Sequence, residues 1–115
     1  MRMWMIDPKL LCKKHLLGEH NEIHKHKHSF EKKHSIKGRI HPIVQIQPSA
    51  MKSRHDELAM EMVARNMNHK SPYIMPTLDY LSEDEKNIKV NIEYNINDLK
   101  NRCPECKAIL DTHLQ

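Results

Sequence analysis

The sequence predicts an all-α fold, because most of its apolar residues recur at helical spacing between segments rich in turn formers. The chain has 115 residues, the length of one small domain, so we expect residues 1–115 to form a single compact domain. It contains one Phe, one Trp and three Tyr, so Leu, Ile and Met must supply most of a thin core. We therefore predict three main helices joined by long loops.

The first predicted helix runs from Pro8 to about His28. Asp7 suits the N-cap and Pro8 the first helical position, and apolar residues follow at helical spacing. Gly18 lies in the middle of this helix, where glycine costs about 1 kcal/mol relative to alanine. That cost suggests that another helix or a ligand approaches closely at this position.

The second predicted helix begins at about Ser49 or Ser53 and ends at Asn68, where turn formers follow. Between the two helices, residues 29–49 are basic and have no regular period, so we predict a basic loop or arm there. Ser82 to Glu85 has the pattern of a capping box, which predicts a further short helical turn.

The C-terminal part of the chain fits two patterns. Apolar residues alternate from Ile88 to Ile96, as in a strand, but they also recur at helical spacing from Ile92 to Leu110. We favour a short extended start at 88–90 and a helix from about Asn91. Pro104 either interrupts this helix or opens a last helical piece.

The charge is unevenly distributed. The net charge is +4, and the segment from His24 to Arg39 holds six basic residues against the single acid Glu31. The six are Lys25, Lys27, Lys32, Lys33, Lys37 and Arg39. Such a segment suits a polyanion such as nucleic acid, and the alternative is a solvated surface balanced by the acidic second half of the chain.

The sequence also indicates a compartment. No apolar run reaches the length of a membrane-spanning helix, and the first residues lack the pattern of a secretory signal. Three cysteines, an odd number, suggest a reducing environment. We expect an intracellular protein of the cytoplasm or nucleoid that does not bind membranes.

Carboxylates and an imidazole meet on the first helix. His15, Glu19 and Glu22 lie near one face, since they are three and four residues apart. Either glutamate could act as a general base, or both could simply pair with lysine and histidine on a wet surface. The α-amine of Met1 is close in sequence, and an unperturbed α-amine is partly neutral near pH 7 and can act as a nucleophile.

These residues resemble a known family. Met1-Arg2, followed by the run from His15 to His24, is similar to the N-terminal signature of the pyrimidine-dimer DNA glycosylases of the phage endonuclease V type. The segment from Ser53 to Pro72 resembles a later block of that family, so the resemblance covers roughly residues 1–75. The tail from Leu99 to Cys106 resembles the Leu-x-x-Arg-Cys-x-x-Cys end of bacterial and phage relatives.

The resemblance implies a compact helical enzyme that cleaves the glycosyl bond at a pyrimidine dimer and then the abasic sugar. It implies a Schiff base from the N-terminal amine, which would be that of Met1 because the long side chain of Arg2 disfavours methionine removal. It assigns the acid–base carboxylate to Glu22, a DNA contact to Arg2 and a place beside the site to His15. Asn21 stands where the family has an arginine. No cofactor or metal is expected for this reaction.

We thus predict Met1 and Glu22 as catalytic residues and damaged double-stranded DNA as the substrate of a monomer. The predicted DNA contacts are Arg2, Lys13, Lys14, His15, His20, Asn21, Lys25, Lys27, Lys32, Lys33, Lys37 and Arg39. Trp4, Phe30 and Tyr73 are the aromatic residues suited to stack on a flipped base. The alternative is a non-catalytic module that binds nucleic acid or protein, as a subunit of a larger assembly.

A second candidate site lies in the C-terminal segment, residues 99–115. Cys103-Pro-Glu-Cys106 is half of a zinc site, since a structural zinc ion needs four ligands. His113, Cys12 or a histidine from the run His24-Lys-His26-Lys-His28 could complete it. The alternative is that both thiols pack in the core, and we expect no metal unless Cys103, Cys106 and His113 bind zinc.

Overall fold

The all-α prediction is confirmed. The structure is a computed structural model that describes residues 2–68 and 72–113, and these residues contain no strand. They form helices α1 (Lys13–Glu31), α2 (Lys37–Ile40), α3 (Met51–Ala64), α4 (Glu83–Lys86), α5 (Ile92–Arg102) and α6 (Pro104–His113). Helices α2 and α4 are single turns. No helix in the described residues is long and apolar enough to cross a membrane.

The first helix begins later than predicted. Asp7 does act as a cap, and its side chain accepts a hydrogen bond of 3.0 Å from the Lys9 amide, but it caps only a 3₁₀ turn at Pro8–Leu10. Leu11 and Cys12 then turn extended and bury their side chains, so α1 starts at Lys13. Burial of two apolar side chains thus ended the pattern that predicted one continuous helix from Pro8.

The basic loop is shorter and better anchored than predicted. Residues 29–31 continue α1, α2 forms one turn, and a second 3₁₀ turn at Pro48–Ala50 leads directly into α3. Ile36, Ile40 and Ile46 are buried in the core and fix the segment to the domain.

Helix boundaries elsewhere follow local capping. Helix α3 ends at Ala64 rather than at Asn68, because Asn66 adopts a positive φ of 60° that cannot continue a helix. The predicted helix from about Asn91 is confirmed, and the Asn91 side chain accepts a hydrogen bond from the Tyr94 amide. Pro104 opens α6, and the capping box of Ser82 and Glu85 is present.

The chain's first described residues are held between the loop before α3 and helix α5. The Met3 amide donates to the Gln45 carbonyl at 2.7 Å, and the buried Asn95 side chain donates to the Trp4 carbonyl at 3.0 Å. Met3 is fully buried. The N-terminal segment is therefore an integral part of the core and is positioned next to α1.

A buried ion pair joins the two helices that pack at the centre of the fold. The Arg54 guanidinium on α3 donates two hydrogen bonds to the Glu19 carboxylate on α1, from Nε at 2.6 Å and from Nη2 at 2.9 Å. Both residues are 1% exposed. A bidentate pair of this kind fixes the register of α1 against α3, because any sliding would leave a buried charge unpaired.

Removing one member of this pair should be costly. Arg54→Met should lower the free energy of unfolding by about 3–5 kcal/mol, because Glu19 would stay buried without a counter-charge. The double variant Glu19→Leu, Arg54→Met should lose less than the single variant, because no unpaired charge remains. Urea denaturation at pH 7 measures both.

The matched control is Lys52→Met, also on α3. It removes the exposed ion pair between Lys52 and Asp56, and should cost less than about 1 kcal/mol. An equal loss of stability in Arg54→Met and Lys52→Met would show that the buried pair does not hold α1 against α3.

Candidate active site

A polar pocket of about 340 Å³ opens where the N-terminal segment, α1 and the end of α5 meet. Its lining residues are Arg2, Trp4, His15, Gly18, Glu19, Glu22, Gln45 and Arg102. The pocket thus contains both carboxylates that the sequence singled out, together with two arginines. A larger pocket of about 570 Å³ lies along α3, but its lining is mainly aliphatic.

The two carboxylates of α1 have different partners. Glu19 is occupied by Arg54. Glu22 Oε2 is buried and has no hydrogen-bond partner among the described residues, while Oε1 lies 3.7 Å from the ammonium of the exposed Lys25. An exposed pair of this length contributes little. Glu22 is therefore the carboxylate with free capacity to accept or deliver a proton in the pocket.

Two guanidinium groups form one side of the pocket. Arg2 donates to Asp98, and Arg102 Nη2 donates to the same carboxylate at 3.0 Å. Both lie near the Trp4 ring, with their central carbons 4.9 Å and 5.7 Å from the ring centre. One carboxylate serves two cations, so this side of the pocket keeps an excess positive charge that suits an anionic ligand.

His15 forms a neutral wall between the pocket and the core. Its ring meets the edge of Trp4 with 5.9 Å between centroids, and its Nδ1 lies 3.2 Å from Cys12 Sγ. Burial lowers the pKa of His15, and the charges of Lys14 and Arg102 lower it further. The imidazole is thus kept uncharged near pH 7.

Gly18 lines the pocket without touching another part of the chain. A Cβ atom at this position would meet nothing within 4 Å among the described residues. The structure therefore removes one of the two explanations offered for Gly18, because no helix packs there. The open space belongs to the pocket.

The predicted basic contacts lie mostly on the surface. Seven of the predicted DNA contacts are exposed: Lys13, Lys14, Asn21, Lys25, Lys32, Lys33 and Lys37. Lys27 and Arg39 are partly buried. Lys14, Lys25 and Lys32 share one face of α1 with Gly18, because their spacings are near whole numbers of helical turns. This face borders the pocket.

Several predicted residues lie elsewhere. His20 is buried and packs on the ring of His55, with centroids 4.9 Å apart, so its burial argues against a contact with DNA. Phe30 and Tyr73 are also buried away from the pocket, which leaves Trp4 as the aromatic residue beside it. Met1, predicted to be the nucleophile, lies outside the described residues.

Two pocket residues were missed by the sequence analysis. Gln45 gave no signal, because it lies in a segment that had no regular period. Arg102 directly precedes the Cys103-x-x-Cys106 motif and was not considered as a site residue. It brings a positive charge from α5, whereas Asn21 on α1 is exposed and uncharged.

The C-terminal motif lies next to the pocket. Cys103 and Cys106 are buried, and they lie with Cys12 and His15 in one cluster whose side-chain donor atoms are all within 4.8 Å of one another. Burial raises the pKa of the Cys106 thiol to about 12. His113, predicted as the third zinc ligand, is exposed and is not part of this cluster. The predicted ligand set was therefore wrong in this residue.

Comparison with known proteins identifies the family. A family model described as pyrimidine dimer DNA glycosylase matches residues 1–75. The matched residues include α1, α3 and every residue that lines the polar pocket except Arg102. Comparison with curated proteins and with solved structures gave no match. Because the family model covers more than half of the 115 residues, the chain belongs to the pyrimidine dimer DNA glycosylase family.

Proposed function

We propose that this protein is a monomeric, intracellular DNA glycosylase and abasic-site lyase that acts on pyrimidine dimers or another damaged base. The α-amine of Met1 is the nucleophile and Glu22 is the acid–base group. The observation that carries the proposal is the Glu22 carboxylate, which has an unpartnered oxygen in a polar, positively flanked pocket. A carboxylate placed in this way is suited to proton transfer.

The position of Arg2 supports the choice of nucleophile. Its side chain lines the same pocket as Glu22. Consecutive Cα atoms are about 3.8 Å apart, so the residue bonded to Arg2 is within reach of that pocket. The hydrogen bond from the Met3 amide to Gln45 holds the backbone two residues further along.

The proposed reaction begins at C1′ of the damaged nucleotide. The neutral amine forms a bond to C1′, and the glycosyl bond breaks with its electron pair going to the departing base. The amine loses a proton and the base gains one. Opening of the sugar ring then gives an imine between the protein and C1′. Removal of a C2′ proton expels the 3′ phosphate, and water releases the amine.

Glu22 is suited to two tasks in this sequence. As a carboxylate it stabilises the positive charge that develops on the sugar when the glycosyl bond breaks. It also accepts protons from the attacking amine and from C2′. Glu19 is excluded from these tasks by its two hydrogen bonds from Arg54.

Surface charge supports a DNA substrate. Lys14 and Lys25 flank Gly18 on the exposed face of α1, and Arg102 is at the edge of the same pocket. Lysine and arginine side chains neutralise backbone phosphates and release counter-ions. An enzyme that works on a sugar inside a duplex must also extrude a nucleotide, and Trp4 offers an aromatic surface beside the pocket.

The first prediction concerns the covalent intermediate. Borohydride should trap a stable adduct between the protein and DNA that contains either a pyrimidine dimer or an abasic site. Glu22→Gln should lower trapping on dimer DNA at least ~100-fold, because the glycosyl bond cannot break without the carboxylate. The loss on abasic DNA should be smaller, because an amine condenses with a free aldehyde unaided. Gel shift and mass spectrometry measure the adduct.

Glu31→Gln is the matched control, since Glu31 is an exposed glutamate on the same helix. It should trap like the wild type. Selective acetylation of the N-terminus should abolish trapping on both substrates, and peptide mapping should locate the adduct on the first residue. A protein that binds both DNAs but forms no adduct would be a non-catalytic binding module.

The second prediction separates stability from activity at Gly18. Gly18→Ala should raise the free energy of unfolding by about 0.5–1 kcal/mol, because alanine favours the helix and its Cβ has space. The same methyl group narrows the pocket, so trapping on dimer DNA should slow. A variant that is more stable and fully active would show that substrate does not approach Gly18.

The third prediction concerns the lysines beside the pocket. The double variant Lys14→Gln, Lys25→Gln should weaken binding to duplex DNA and reduce the slope of log K against log salt by roughly two, about one per lost phosphate contact. Fluorescence anisotropy over a salt series measures this slope. Lys52→Gln, on the outer face of α3, should leave it unchanged. An unchanged slope in the double variant would remove these lysines from the DNA interface.

A further inference from the structure

Two short motifs that are far apart in the sequence meet at one point in the fold. Cys12-Lys-Lys-His15 stands at the start of α1, and Cys103-Pro-Glu-Cys106 stands at the start of α6. The three sulfurs and one imidazole nitrogen all lie within 4.8 Å of one another. Paired ligands separated by two residues are the usual arrangement in structural zinc sites.

The distances between these atoms fit a common metal ion. Zn–S bonds of ~2.3 Å and Zn–N bonds of ~2.0–2.1 Å place two sulfurs of a tetrahedral site ~3.8 Å apart, and a sulfur and a nitrogen ~3.6 Å apart. Cys12 Sγ lies 3.8 Å from Cys103 Sγ. His15 Nδ1 lies 3.6 Å from Cys106 Sγ and 3.2 Å from Cys12 Sγ.

The backbone around the cluster is arranged to stabilise thiolates. Cys12 is the N-cap of α1, and Cys103 directly precedes Pro104, the first residue of α6. The positive ends of two helix dipoles therefore point at the sulfurs. The Cys106 amide donates to Cys103 Sγ at 3.4 Å, and the Cys12 amide donates to Cys106 Sγ at 3.3 Å. Hydrogen bonds to ligand sulfurs are typical of the surroundings of a metal site.

Two simpler explanations account for less. A disulfide needs a sulfur separation of ~2.0 Å, far below the 3.8 Å between Cys12 and Cys103, and all three cysteines are free. Thiols that only pack in the core would not require an imidazole nitrogen among them. His15 supplies that nitrogen, although its other neighbours belong to the polar pocket.

We propose that Cys12, His15, Cys103 and Cys106 bind one structural zinc ion. Three thiolates and an imidazole with tetrahedral spacing favour zinc over hard cations such as Mg²⁺ or Ca²⁺. The ion joins the start of α1 to the junction of α5 and α6, 91 residues away in sequence. It is closed to substrate and takes no part in the reaction. Its role is to hold one wall of the pocket in a domain with a thin core.

The test measures metal and does not depend on enzymatic activity. The full chain, purified under reducing conditions without chelator, should contain about one zinc ion that survives desalting, as measured by inductively coupled plasma mass spectrometry. Removal of zinc at low pH, followed by Co²⁺, should give the intense visible bands of a tetrahedral site and a near-ultraviolet thiolate charge-transfer band. Metal removal should lower the melting temperature by at least ~10 °C.

Variants identify the ligands. Cys106→Ser and Cys12→Ser should lose the charge-transfer intensity and most of the zinc. His113→Ala should keep both, because His113 is not part of the cluster. His15→Cys preserves four ligands and should retain zinc, whereas His15→Ala should bind it at least ~10-fold more weakly.

The outcome does not depend on whether every variant folds. His20, His24 and His55 form a separate cluster of three nitrogens, and a metal bound there gives no thiolate band. Wild-type protein whose three thiols are reduced and titratable, but which holds less than ~0.1 zinc and gives no thiolate band with Co²⁺, would overturn the proposal.

Discussion

The buried ion pair between Glu19 and Arg54 is the interaction on which the rest of the site depends. An unpaired carboxylate at this depth would cost several kcal/mol, and the guanidinium cannot lose its proton, so the two helices must meet in the geometry that pairs them. This requirement fixes the rotation of α1. Glu22, three residues further along, is turned by roughly 60° around the helix from Glu19 and keeps a free oxygen in the pocket. One carboxylate is used to hold the fold, and the other is left for chemistry.

The same rotation assigns every other face of α1. His15 is directed to the three sulfurs, and Gly18 opens onto the pocket. Lys14 and Lys25 are exposed beside the pocket, while Ile23 and Phe30 enter the core. A helix with so many polar residues has no single apolar face from which its orientation could be chosen. Its pairing with Arg54 on α3, rather than its hydrophobicity, selects the orientation.

The sequence predicted the helical class, the approximate extent of α3 and α5 and the candidate carboxylates, because helical spacing and caps are local signals. It did not predict which glutamate would be paired, because Arg54 is 35 residues from Glu19 and carries no mark of burial in the sequence. The start of α1 was wrong because tertiary burial of Leu11 and Cys12 overrode a good capping pattern. His113 was chosen over His15 as a zinc partner for Cys103 for a similar reason. Proximity in the chain favoured His113, whereas the fold brings the start of α1 to the motif.

The pocket also explains how the chain tolerates an asparagine where its family has an arginine next to the acid–base glutamate. Arg102 brings a guanidinium to the same pocket from α5, and Asp98 holds it beside Arg2. Both Arg102 and Asp98 lie outside residues 1–75, the part that the family model matches. Arg102 is bonded to Cys103, so any ion that fixes the four-residue cluster also fixes the backbone that carries this guanidinium. The C-terminal segment thus completes a site whose catalytic part is encoded in the first helix, and the charge missing from α1 is supplied by a helix that the thiol cluster holds in place.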